Sequence, residues 1–164
     1  MSAPVNKAKK LIEELRRKGL YLAVAESCTG GWIGKTLTDV PGSSDVFYGG
    51  FIVYSNRLKT ELLNIKENII KEFGAVSGET AEAMAEGCLS GSGADISLAV
   101  TGIAGPGGGT ADKPVGTVFV CVGCKNGSEI LKKFIFSGGR RKIRKKTVIN
   151  SLIMVEELIS AEYT

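Results

Sequence analysis

Histidine is absent from the 164 residues. That excludes a Ser-His-Asp triad, a Cys-His pair and any histidine-ligated metal. A hydrolase built from this chain must take its base from lysine, tyrosine, a carboxylate or the amino terminus. Cysteine is scarce, with 4 in the chain, too few for a disulfide scaffold. No apolar run reaches the ~18–20 residues of a membrane span. The opening MSAPVNKAKK has no apolar signal-peptide core. Lys+Arg is 21 against Asp+Glu 17, a net charge of +4 that is too mild, taken whole, to imply nucleic acid. What remains is ordinary globular composition, 43% hydrophobic and 23% charged, at the length of one domain. A single domain over 1–164 in a reduced cytoplasm is the expectation.

Cys121 and Cys124 spell C-x-x-C, but inside the apolar run VGTVFVCVGC. On a strand, positions three apart face opposite sides, so the pair cannot chelate one ion without distortion. No second such pair supplies the remaining ligands. The expectation is no metal site and small apolar thiols.

Ala8, Leu11, Ile12 and Leu15 follow a helical spacing, and Gly19 stands where a C-terminal cap belongs. Residues 20–25 read as a buried strand, followed by a helix to about 39 that Val40-Pro41-Gly42 breaks. A second strand is expected over 48–55. Short helices are expected over 56–65 and 67–73, and a longer one after Ser77, which can cap it. A third strand over 95–100 leads into a loop with five glycines. Two more strands flank Lys125-Asn126-Gly127, a strong hairpin signal, and a last helix runs from about 141 to 161. This order predicts an α/β fold. It is a three-layer α/β/α sandwich around a mixed, mainly parallel five-stranded sheet, its last strand antiparallel. Ligands gather at the carboxyl ends of strands in such sheets.

Three unusual segments fall at those ends. Ser27 sits between a buried strand and a helix entered through Thr29, Gly30 and Gly31. A serine there can be a plain N-cap, worth ~1 kcal/mol. A cap alone does not need two glycines, which let a ligand approach free N–H groups. In the second segment, Tyr54 and Asn56 share one side of an extended stretch, and Lys59 falls in the first turn of a helix. A cation there opposes the macrodipole, which lowers its pKa. A lysine base must fall from ~10.4 toward ~7–8, roughly 4 kcal/mol of differential stabilisation. Most lysines are solvated, but without histidine Ser-Lys is the plainest nucleophile-base pair left. The third segment, Thr101-Gly102-Ile103-Ala104-Gly105-Pro106, opens the glycine-rich loop. It lacks the Gly-Lys-Ser/Thr of a P-loop and is a weak phosphate signal by itself. A fourth feature lies outside these strand ends. Residues 140–146 hold six basic side chains in seven positions at the start of a helix, where an anion would relieve the misplaced charge. Arg140 and Arg144, four apart, are spaced to reach one phosphate.

The chain resembles the CinA carboxy-terminal domain family, also called the PncC family of nicotinamide-mononucleotide amidohydrolases. The motifs are Ala25-Glu26-Ser27-Cys28-Thr29-Gly30-Gly31, Leu37-Thr38-Asp39-Val40-Pro41-Gly42-Ser43-Ser44, Tyr54-Ser55-Asn56 with Lys59, and Gly74-Ala75-Val76-Ser77. Val100-Thr101-Gly102-Ile103-Ala104-Gly105-Pro106 and Lys113-Pro114-Val115-Gly116-Thr117-Val118 complete them. The resemblance implies deamidation of nicotinamide mononucleotide to nicotinate mononucleotide and ammonia, with no metal and no cofactor. It implies Ser27 as nucleophile, Lys59 as base and Tyr54 as the residue that assists proton transfer or holds the lysine. Thr101 and the basic segment contact substrate. Arg140, Arg144 and the loop at 105–109 are candidates for the 5′-phosphate. Glu26 is expected to face the pyridinium or to hold Lys59. N–H groups near Cys28, Thr29, Gly30 and Gly31 are expected to hold the oxyanion, and Asn56 and Gly105 are expected to line the substrate site. The family tract Phe-Ser-Gly-Asp-Arg reads Phe136-Ser137-Gly138-Gly139-Arg140 here, so its acidic position is lost. A homodimer is implied. The molybdopterin-type amino-terminal domain of many members is expected to be absent, since the first motif begins 25 residues in.

Three alternatives stay open. Cys28, at the same helix N-terminus, is a rival nucleophile whose thiol would be acidified there. A non-catalytic nucleotide-binding or interaction module linked to competence or DNA repair would leave Ser27 and Lys59 dispensable. Nucleic-acid binding by 140–146 would give affinity that falls steeply with salt.

Overall fold

The computed structural model describes residues 1–164. The element order is α1 (Ala3–Lys18), β1 (Leu22–Glu26), α2 (Trp32–Thr38), β2 (Phe47–Ile52), α3 (Asn56–Leu63), α4 (Glu67–Phe73), α5 (Gly78–Ser92), β3 (Ile96–Gly102), β4 (Thr117–Cys124), β5 (Glu129–Ile135) and α6 (Arg140–Glu162). The expected elements are all present, most with ends displaced by one to three residues. Gly19 adopts the left-handed conformation that ends α1, and Ser77 Oγ accepts from Thr80 N–H at the start of α5.

The strands are ordered β2-β1-β3-β4-β5. β1 pairs in parallel with β2 and with β3, while β3–β4 and β4–β5 are antiparallel. The sheet is mixed, as expected, but the reversal comes one strand early. β4 is the strand that runs against the other four, and β5 turns back to their direction. The cause lies in the connection from 103 to 116, which contains no helix. A parallel return needs a long crossover, whereas a loop allows an antiparallel partner.

Alternation along the strands builds two cores. Leu22, Val24, Ile96, Leu98, Val100, Val118, Val120 and Val122 face α1, α2 and α6. Ala23, Ala25, Ala99 and Cys121 face α3 and α5, and their small side chains let that layer sit close. Cys121 and Cys124 belong to different cores, as strand geometry demands, and all four cysteines are free and buried. No helix is long and apolar enough to cross a membrane. The carboxyl ends of β1, β2 and β3 lie side by side, and there the three singled-out segments meet.

Candidate active site

Ser27, Cys28, Tyr54, Asn56, Lys59, Thr101 and Arg140 line one cleft of about 170 Å³, together with Ala75, Val76, Gly102 and Ala104. Ser27 follows β1 directly and is 7% exposed. Its amide donates to the Val100 carbonyl at 3.2 Å, which pins the turn to β3. Ser27 does not cap α2, which begins at Trp32.

Glu26 does the capping instead. Its carboxylate is 1% exposed and accepts from Thr29 Oγ1 at 2.6 Å, Gly31 N–H at 3.0 Å, Ile33 N–H at 3.1 Å and Gly34 N–H at 2.8 Å. The chain can wrap back onto Glu26 because Gly30 and Gly31 take positive φ values, 57° and 96°. The expectation that Glu26 faces a ligand or Lys59 does not hold, since both its oxygens are spent on the helix end. Nor are the Gly30 and Gly31 amides free for an oxyanion. Gly30 N–H donates to the Ser27 carbonyl and Gly31 N–H to Glu26. The free amides of this turn are those of Cys28 and Thr29.

Lys59 is 1% exposed and is the bulkiest side chain among the fully buried residues. Ser55 Oγ caps α3 through Leu58 N–H, which sets Lys59 in the first turns of that helix. Its Nζ lies 3.0 Å from Ser27 Oγ, and donates to the carbonyls of Val53 at 2.8 Å and Tyr54 at 3.4 Å. No carboxylate pairs with it. Burial without a counter-ion pulls its pKa down to about 8. The same three contacts serve the charged and the neutral amine. In the ammonium all three contacts are donated by Nζ, and on loss of the proton two N–H groups still serve the carbonyls while a lone pair turns to the Ser27 hydroxyl.

Cys28 goes the other way from the acidified thiol that its position suggests. It is 7% exposed, and burial pushes its pKa up to about 12. A thiol held that high is a poor nucleophile near neutrality.

Tyr54 reaches Lys59 only through its carbonyl. Its side chain is 61% exposed, and its Oη accepts from Arg140 Nη2 at 3.2 Å. Arg140 Nη1 also donates to the Gly105 carbonyl at 2.8 Å, so the guanidinium spans the cleft rim. Arg144 does not join it. Its Nε donates to the Cys28 carbonyl at 3.1 Å and its Nη2 to the Thr29 carbonyl at 2.7 Å, while its Cζ sits 5.3 Å from the Trp32 ring centre. Four residues along a helix advance roughly 6 Å, enough to put the two arginines on different targets. Thr101, 1% exposed, donates to the Ala75 carbonyl at 2.7 Å and so ties the 74–77 segment to the cleft wall. The glycine-rich loop packs on β4's approach. A Cβ at Gly105, where φ is 79°, would stand 2.4 Å from Val115 Cγ1. Asn56 opens α3 at the exposed mouth. Sequence reasoning missed the Val53 carbonyl, which no residue type announces, and had Ala75 and Val76 as part of a family motif without placing them in the cleft wall.

Comparison with known proteins agrees with this architecture. The description "CinA C-terminal domain" matches residues 5–159. The chain belongs to the CinA C-terminal domain family. A CinA-like protein of Desulfotalea psychrophila is 51% identical over 140 residues, 85% of this chain and 34% of that protein. A CinA-like protein of Chloroherpeton thalassium is 46% identical over 154 residues, 91% of this chain and 36% of that one. The chain thus spans about a third of the length of these curated relatives. Among solved structures, a competence/damage inducible protein of Agrobacterium tumefaciens superposes with a TM-score of 0.94 at 41% identity, covering 96% of each chain. A CinA superfamily protein of Escherichia coli gives 0.91 at 29% identity, covering 95% of this chain and 90% of that one.

Proposed function

We propose that this chain is a nicotinamide-nucleotide amidohydrolase working through a Ser-Lys acyl-enzyme. The observation that carries this reading is the 3.0 Å approach of a buried, counter-ion-free Lys59 amine to Ser27 Oγ. Neutral Lys59 takes the Ser27 proton as Oγ attacks the carboxamide carbon. The oxygen that becomes negative is held by the free Cys28 and Thr29 amides, and a lost donor of that kind costs on the order of 10²–10³ in rate. Lysine then returns the proton to the nitrogen, and ammonia leaves. Water, deprotonated by the same amine, opens the nicotinoyl ester to release nicotinate mononucleotide and free Ser27. The cleft is sized for the ring, and Arg140 at its rim is the cation offered to the phosphate. Electron withdrawal by the pyridinium makes the carbonyl more electrophilic.

The edge strand β2 supports a homodimer: it is unpaired on one side, and Tyr48 and Ile52 are each 54% exposed. The four free thiols fit a reducing compartment such as the cytoplasm.

The test is ammonia release from nicotinamide mononucleotide, without added metal, by wild type, Ser27→Ala and Lys59→Ala. Turnover by wild type, cut by a factor of at least ~10⁴ in either variant, is expected. No release by folded wild type would overturn the proposal and leave a binding pocket. Retained turnover in Ser27→Ala would overturn the assigned nucleophile.

A further inference from the structure

The basic segment at the start of α6 is only partly used by the candidate active site. Arg140 serves the cleft rim, Arg144 holds the carbonyls of the Ser27 turn, and Lys146 donates to the Ser137 carbonyl. Arg141, Lys142 and Lys145 have no hydrogen-bond or ion-pair partner. They line a separate cavity of about 470 Å³, together with Trp32, Lys35 and Asp39. Lys35 pairs with Asp39, which cancels the one acid in the wall.

Two long helices begin at this cavity. Ser2, which precedes α1, lines it without capping α1 through its side chain, and α1 has no acid in its first turn. α6 likewise starts on Gly139, with no side-chain cap and no acid in its first turn. The contrast with α2, whose end Glu26 saturates, is sharp. Cations at a helix N-terminus oppose the macrodipole, and Arg141 and Lys145, four apart, repel each other. Two uncapped N-termini and three unpaired cations thus converge on one space. Trp32 supplies an aromatic wall beside them. The volume lies within the range of small-molecule sites and exceeds what a lone phosphate needs.

We infer that this cavity between α1, α2 and α6 is a second, non-catalytic nucleotide site. It takes a nucleoside mono- or diphosphate, with the phosphate among Arg141, Lys142 and Lys145 and the ring toward Trp32. The site is distinct from the cleft that holds Ser27, and the inference stands whether or not that cleft deamidates anything.

Trp32 is the only tryptophan, and because the Arg144 that holds the Ser27 turn also sits on its ring, the variants decide whether a fluorescence change comes from this cavity or from the cleft. The experiment titrates wild type, Arg141→Glu/Lys145→Glu and Arg140→Ala with inorganic phosphate, AMP, ADP and an oligothymidylate, and repeats each titration by calorimetry. The two glutamates replace exposed side chains, and a melting curve confirms that the double variant folds. The expected result is a saturable Trp32 change with AMP and ADP, tighter for ADP. It weakens at least tenfold in Arg141→Glu/Lys145→Glu and persists in Arg140→Ala. Silence from AMP and ADP at millimolar concentration would overturn the proposal. So would binding that survives the double reversal but is lost in Arg140→Ala, which would place the nucleotide in the cleft. Strong, steeply salt-dependent binding of the oligothymidylate alone would overturn it in favour of a nucleic-acid surface.

Discussion

Glu26 and Lys59 are both almost fully buried and both chargeable, Glu26 at the carboxyl end of the central strand β1 and Lys59 on the helix that follows the edge strand β2, yet their surroundings treat them in opposite ways. Glu26 receives four donors from the turn and helix that follow it. Lys59 receives two carbonyls, one hydroxyl and no carboxylate. The first arrangement spends the charge on the architecture. The second leaves it uncompensated, so the amine drops toward the neutral form that a base needs. Burial of a chargeable side chain is therefore not itself a mark of chemistry. What marks it is whether the neighbours favour the charged or the uncharged state.

This contrast breaks most sharply at Lys59. Lys59→Met should lower ammonia release by a factor of about 10⁴ or more while leaving the fold intact, because a methionine fills the same space without a buried amine. Steady-state kinetics with a melting curve separates the two effects. Glu26→Ala should do the converse. It strands three amides and the Thr29 hydroxyl, so stability should fall by at least about 3 kcal/mol, read by urea unfolding. An unchanged unfolding midpoint there would dissolve the distinction.

The pH response sharpens the comparison. Lys59 has a folded pKa of about 8, below its ordinary 10.5. At this residue the unfolded chain therefore holds more proton between those values, and its contribution to stability rises with pH across that window. Below about pH 8 the folded protein bears the full cost, on the order of 3 kcal/mol. The buried thiols, whose pKa burial raises above the ordinary 9.0, act in the opposite sense above pH 9, so the Lys59 component is read as the difference between wild type and Lys59→Met, which should climb between pH 8 and 10.5. Under the proposed mechanism, kcat/KM should rise with pH and level off above about 8, as the amine becomes neutral. The smallest effect belongs to Cys28→Ala, whose turnover should stay within a few-fold of wild type. A large loss there would return the thiol to consideration as the nucleophile.

Much of the fold could be read from the residues, because strand alternation, Gly19 and Ser77 each act locally. The direction of β4 could not, since it depends on what the 103–116 connection fails to form. At the candidate site, Ser27 and Lys59 stood out through the missing histidine, and the family motifs linked them. The roles of Glu26 and Arg144 were hidden. Glu26 reaches its partners only because Gly30 and Gly31 bend the chain back over it. Arg144 meets Cys28 and Thr29 across 115 or more residues of sequence, a pairing that helical spacing alone does not encode.

Direct titration of the Lys59 amine tests the central claim without needing any substrate. Nitrogen-15 NMR of lysine-labelled protein, with Lys59→Met to assign the signal, reads its ionisation alone. The account predicts a midpoint near pH 8, more than two units below the solvated lysines. A midpoint at or above their ~10.4 would contradict it, leaving Lys59 a buried cation with no lone pair to offer Ser27.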